Sequence, residues 1–177
     1  MLILSKLLIN QSVLSLRTGG VVAVSREAII NPTNLKIEGF YCSDSFEKNK
    51  ILVLIKHDIR DVLPAGIVVN DHGVLSEPED LIRLKEVMDW DYQLTGKQVV
   101  TESKKKLGKV SDYATDPDTM IIQKLYVVQP VLRNLTGGSL SIDRQQIVEI
   151  NKNKIIVKDL LQPVKTRVPA SEPLPAS

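Results

Sequence analysis

The sequence is poor in aromatic side chains, with one tryptophan, four tyrosines and two phenylalanines among 177 residues. That scarcity argues against the stacking platforms on which single-stranded nucleic-acid binders lay successive bases. The single cysteine, Cys42, excludes an internal disulfide, and without a cysteine framework the expected compartment is the cytoplasm. Only two histidines, His57 and His72, are present, so one chain cannot supply a multi-histidine metal site. Charge of one sign is missing too. The 23 basic and 21 acidic side chains give a formal net charge of +2, and no overall field draws the molecule to nucleic acid or to an anionic membrane. No apolar run approaches the roughly 20 residues that span a bilayer, which argues against direct membrane insertion. The apolar start from Met1 to Ile9 is interrupted by Lys6 and reads as a strand rather than a signal peptide.

What is present is a composition able to form a core, 43% hydrophobic, arranged in short β-rich runs. Gly20 to Val24, Leu35 to Cys42, Ile51 to Ile55, Met120 to Val128 and Lys154 to Val157 are separated by turn residues, which predicts a mainly β fold. One segment has a helical period. Leu81, Leu84 and Met88 fall on one stripe, widened by Ile82 and Val87. Ser76 is placed to cap it, with Glu79 completing a capping box, so a connecting helix is expected over residues 76–91. The final segment, with Pro163, Pro169, Pro173 and Pro175, is expected to form a disordered tail over 163–177.

Two turns carry the organisation of the chain. Asn31-Pro32-Thr33-Asn34 and Asp116-Pro117-Asp118-Thr119 each put proline after an Asx residue between two β runs, which favours a tight hairpin reversal. They lie 85 residues apart. At that offset Ala23 meets Gly108, Glu27 meets Asp112, Ile37 meets Ile122, Tyr41 meets Tyr126, Asp58 meets Asp143 and Val62 meets Ile147. Downstream, Asp80-Leu81 meets Asp159-Leu160 after a short insertion. The apolar and turn classes stay in phase, which predicts two diverged copies of one module, over 1–80 and 92–162.

The second copy runs Leu94-Thr95-Gly96-Lys97-Gln98-Val99-Val100, then Leu107-Gly108-Lys109-Val110-Ser111-Asp112, then Asp116-Pro117-Asp118-Thr119. With Ser141-Ile142-Asp143 and Gln146-Ile147-Val148 after it, this pattern resembles the PRC-barrel family. In the first copy Ala23 stands for the glycine and Ser25 for the valine. The resemblance implies two small β-barrels in tandem, with Gly108 allowing a close strand passage and Pro32, Asp116 and Pro117 setting hairpin register. The family includes the cytoplasmic portion of the photosynthetic reaction-centre H subunit and the C-terminal domain of the ribosome maturation factor RimM, and shares a docking role without a catalytic set. The implied function is a non-enzymatic adaptor that binds protein partners on a larger assembly. The alternative is a ribosome- or RNA-processing-associated factor. No cofactor is expected, and edge strands in incompletely closed barrels fit a homodimer.

The residues that could carry chemistry have simpler readings beside them. Lys104-Lys105-Lys106 is the densest positive run, readable as a phosphate or partner contact or as a solvated turn before Gly108. Asp112, Asp116, Asp118 and Asp143 lack the spacing of a calcium loop, and turn chemistry explains Asp116 and Asp118. His57-Asp58 comes without a nucleophile elbow. Gly19-Gly20 and Gly137-Gly138 read as hairpin glycines, since neither is followed by Lys-Ser/Thr and a helix. Cys42, within Phe40-Tyr41-Cys42, reads as a small buried hydrophobe, and Leu160-Leu161 as core or as part of a docking patch.

Overall fold

The computed structural model describes residues 1–130 and 138–159. The chain opens with a two-residue strand, β1 (Ile3–Leu4), followed by β2 (Ser12–Ser15), β3 (Val21–Asn31), β4 (Lys36–Asp44), β5 (Ile51–Ile55), β6 (Ile59–Leu63) and β7 (Gly66–Val69). A short helix, α1 (Lys85–Trp90), leads to β8 (Gln98–Thr101), β9 (Lys106–Thr115), β10 (Ile122–Val128), β11 (Ser139–Asp143), β12 (Ile147–Ile150) and β13 (Lys154–Val157). The fold is mainly β, as the alternating runs and turn residues require.

These strands form two sheets of the same topology, β5-β4-β3-β2-β7-β6 and β11-β10-β9-β8-β13-β12. In each, neighbouring strands pair antiparallel except for one parallel contact, β2 with β7 and β8 with β13. The two edge strands of each sheet are consecutive in sequence and joined by one 3-10 turn, Lys56–Asp58 or Arg144–Gln146. Each sheet is thus barrel-like and open, with no strand pairing among the described residues between β5 and β6 or between β11 and β12.

The bends have matching causes. A β-bulge places Ile30 opposite Ile37 and Ile29 opposite Gly39, and its counterpart places Thr115 opposite Ile122 and Ala114 opposite Lys124. The extra residue flips the alternation beyond it. Ile37, Phe40 and Cys42 are therefore all buried, as are Ile122, Leu125 and Val127. Tyr126, four residues from Ile122 and on its side by simple alternation, is instead only half-buried.

The replacements in the first copy leave register intact. Val13 pairs with Ala23 as Val99 pairs with Gly108. Buried Ser25 donates its hydroxyl to the Leu8 carbonyl at 2.6 Å, which satisfies the polar atom where Val110 has none. Beyond β4 the constant offset fails. The pairs Gly39–Ile55 and Lys124–Asp143 are equivalent, so Asp143 corresponds to Ile55 and Ile147 to Ile59. Between the matching pairs Ser43–Ile51 and Val128–Ser139 the second half carries three more residues, which shifts everything after it. For the same reason Asp159 corresponds to Asp71 and not to Asp80.

The helix expected over 76–91 is confined to Lys85–Trp90. Two 3-10 turns, Pro78–Asp80 and Ile82–Leu84, precede it. Leu81, at φ −92° and ψ 64°, leaves helical geometry between them, and Pro78 supplies no backbone N–H. Ser76 does not act as a cap; its backbone bridges Val53 on β5. Ile82 is 82% exposed, so the apolar stripe is not a core face. The expected disordered tail and the Leu160-Leu161 pair lie outside the described residues, as does Gly137.

The two halves interlock through reciprocal contacts, as around a two-fold axis. At the hairpin tips, Ile37 donates its N–H to the Met120 carbonyl and Ile122 donates to the Leu35 carbonyl, both at 2.9 Å. Lys36 and Ile121 form an antiparallel bridge between the sheets. Leu35 and Met120 are both buried and both left-handed, at φ 52° and 58°. The arms preceding each half also cross over. β1 pairs with β9 of the second half, and Ser5 bonds Asp112 there. The arm before the second half packs α1 on β3 of the first, and Gln93 bonds Glu27, the equivalent of Asp112. One hydrophobic cluster, including Leu8, Phe40, Leu94 and Leu125, runs through both halves. A boundary at residue 80 therefore separates the repeats in sequence but not the core.

Candidate docking surface

The same pairing that joins the halves leaves a groove on each side of the joint. In one, the second hairpin tip (Pro117, Asp118 and Met120) faces β6 at Ile59–Val62, with Lys56 and the N-terminal arm at its margins, enclosing about 360 Å³. In the other, Pro32, Thr33 and Leu35 of the first tip face β12 at Ile147–Ile150, with Arg144 alongside, enclosing about 350 Å³. Arg144 donates to the Asn34 carbonyl at 2.6 Å and fixes the second groove's rim. The two grooves are the same place in the fold seen twice.

The hairpin tips are rigid because the turn residues satisfy their own backbone. Asp116 Oδ1 accepts from the Thr119 N–H (2.8 Å), the Thr119 hydroxyl (2.9 Å) and the Asp118 N–H (3.1 Å). The bonds from Thr119 and then Asp118 hold its carboxyl below the usual carboxylate range against a smaller opposing effect of desolvation. Asn31 accepts equivalently from the Thr33 N–H (3.0 Å) and hydroxyl (2.7 Å). Pro32 and Pro117 thus occupy equivalent turn positions, each at the lip of a groove.

No family model and no curated protein matches this sequence.

Lys104, Lys105 and Lys106 are all exposed. Lys104 sits at φ 68° in the β8–β9 turn, donating to the Thr101 carbonyl at 2.9 Å, while Thr101 donates to the Lys105 carbonyl at 2.9 Å. They belong to neither groove. Gly108, at φ 140°, passes so close to β10 that a Cβ would collide with the Val128 carbonyl oxygen, which accounts for glycine there. The four aspartates do not converge. Asp112 bonds Ser5, Asp116 and Asp118 form the turn, and Asp143 caps the Arg144–Gln146 turn while pairing with Lys124 at 3.2 Å. Among the described residues no three His, Cys, Asp or Glu side chains are grouped so as to hold a metal ion. Nor is any helix among them long and apolar enough to cross a membrane.

His57 is exposed at a wider cleft of about 730 Å³, where the Asp80–Leu84 segment passes Lys36, Glu38 and Lys56. His72, which the sequence did not single out, is the engaged histidine. Its Nε2 lies 2.9 Å from Asp44 Oδ1, and its ring meets Phe46 edge-on at 4.9 Å. The Asp44 side chain is 1% exposed. Burial alone would raise its pKa, but bonds from His72 and from the Phe46 and Glu47 N–H groups outweigh it and hold the carboxyl below its ordinary value. The Asp44-x-Phe46-Glu47 turn was a visible cue, whereas the partner 28 residues away was not. Cys42 is fully buried, and burial pushes its thiol up to about 12.

Proposed function

We propose that this chain is a non-enzymatic docking module of the PRC-barrel type, binding protein partners on a larger cytoplasmic assembly. The observation that supports it most is the duplicated groove, where turn prolines and the β6 or β12 edge of the opposite half present a preformed lining of mixed polar and apolar side chains. Rigid surfaces bind with little ordering cost, and open sheet edges recruit extended segments. The grooves differ where partner choice would be set, with Arg60 and Asp61 in one and Val148 and Glu149 in the other.

The test is capture from the native host by the tagged full chain, beside Arg60→Glu and Val148→Glu. A nuclease-resistant partner lost on either variant, with the far-UV circular dichroism unchanged, is the expected result. A partner retained by both variants refutes the grooves as the contact. A second reading, contact with an RNA phosphate backbone, draws on the three lysines exposed on one turn. It requires nuclease-sensitive capture that weakens with salt and on replacing Lys104, Lys105 and Lys106 by alanine.

A further inference from the structure

The outer edge of β5 is not bare. Val53 donates its N–H to the Ser76 carbonyl at 2.7 Å, and Ser76 donates back to the Val53 carbonyl at 3.0 Å. A segment following β7 thus returns to cover the far side of its own sheet. In the second sheet the equivalent position is Ser141, since Tyr126 pairs with Ser141 as Tyr41 pairs with Val53. Register therefore turns the Ser141 N–H and C=O outward, as it does those of Val53. Among the described residues none bridges Ser141 from outside the sheet as Ser76 bridges Val53.

The chain beyond β13 starts along the same path. Glu102 donates to the Val157 carbonyl at 3.0 Å as Leu16 donates to the Val69 carbonyl at 2.9 Å. Asp159, where Asp71 stands in the first half, is anchored by the Ser103 N–H at 3.1 Å and hydroxyl at 2.6 Å. From Asp71 the first half reaches its bridging residue at Ser76, and the same number of residues from Asp159 leads to Val164. The span is equal, so the length suffices. Pro163 would stand where Leu75 adopts φ −77° and ψ 131°, a conformation that proline favours. Val164 keeps the N–H that a bridge needs.

We propose that the segment around Val164 of this same chain docks on the outer edge of β11, Val164 bridging Ser141 as Ser76 bridges Val53. This leaves β6 and β12 as the edges open to partners, and it stands whether or not the grooves bind one. It is tested by amide hydrogen exchange of the full chain, comparing Ser141 with Val53. Protection of both amides is expected. In Val164→Pro, which removes the donor, Ser141 exchange accelerates at least about tenfold while Val53 is unchanged. In Val164→Ala, which keeps the N–H, Ser141 stays protected. Fast exchange of Ser141 in the unaltered chain overturns the proposal, as does protection indifferent to Val164→Pro. Protection that grows with protein concentration assigns the edge to a second copy and overturns it too.

Discussion

Replacing Met120 by alanine and by glycine, and doing the same at Leu125, isolates the cost of the left-handed hairpin tip. Both side chains are fully buried, Leu125 in β10 and Met120 in the tip before it, but only Met120 has a positive φ, 58°. Truncating either to alanine removes a core side chain and costs about 2–5 kcal/mol. The step from alanine to glycine then differs. At Leu125 glycine loses about 0.8 kcal/mol of methyl burial and about 0.5–1 kcal/mol of backbone entropy, so it lies about 1.5 kcal/mol below alanine. At Met120 the same losses are offset by release of about 1–2 kcal/mol of left-handed strain, and the two variants should be nearly equal. Urea unfolding followed by Trp90 fluorescence and by far-UV circular dichroism measures both gaps, with coincident curves checking that the transition is two-state. An alanine-to-glycine gap at Met120 as large as that at Leu125 would refute the idea that the tips hold strain. Leu35, at φ 52° in the other tip, provides an independent repeat.

Gly108→Ala should destabilise by more than about 3 kcal/mol, because the new Cβ meets the Val128 carbonyl and φ is 140°; Gly20→Ala, whose Cβ would make only an ordinary contact with the Thr18 hydroxyl at 3.6 Å, should stay within about 0.5 kcal/mol in the same melts. Asp44 is held below its ordinary 3.8 in the folded state, so its stabilisation is complete above the unfolded value and is lost as pH falls through the lower folded one. The urea midpoint of the natural protein should therefore drop more between about pH 6 and pH 3 than that of Asp44→Asn. Cys42 should resist alkylation in the native state at neutral pH and react fully in urea; labelling at similar rates in both would contradict its burial. Removing Met1 to Ser5 should speed hydrogen exchange at Ala114 and Thr115, in the opposite half of the chain, since β1 pairs there.

The period-two runs and the Asx-Pro turns made the β class and the duplication legible, and the residues immediately around Pro32 and Pro117 superpose in function as well as in sequence. Alternation failed at the bulges, because one extra residue opposite Ile30 or Thr115 inverts the facing of everything beyond. Counting from a fixed offset failed past β4, where a longer connection is invisible without strand pairing. The helical stripe misled, since Leu81 and Pro78 break what Leu84 to Met88 would continue. The grooves and the crossed arms were not legible at all. They arise from contacts between residues far apart in sequence, such as Ser5 with Asp112, Gln93 with Glu27 and Leu35 with Ile122, and no local pattern encodes which half an arm will cross to.

That crossing within one chain has a consequence for how the molecule can change. In an assembly of two identical subunits every substitution is made twice, and a residue that improves one face alters its mirror image equally. Here the two faces are written separately. Arg60 and Val148 occupy equivalent places, one cationic and one apolar, while Pro32 and Pro117 beside them stay alike. The joint preserves its symmetry because each side depends on the other, and the surfaces flanking it are free to diverge.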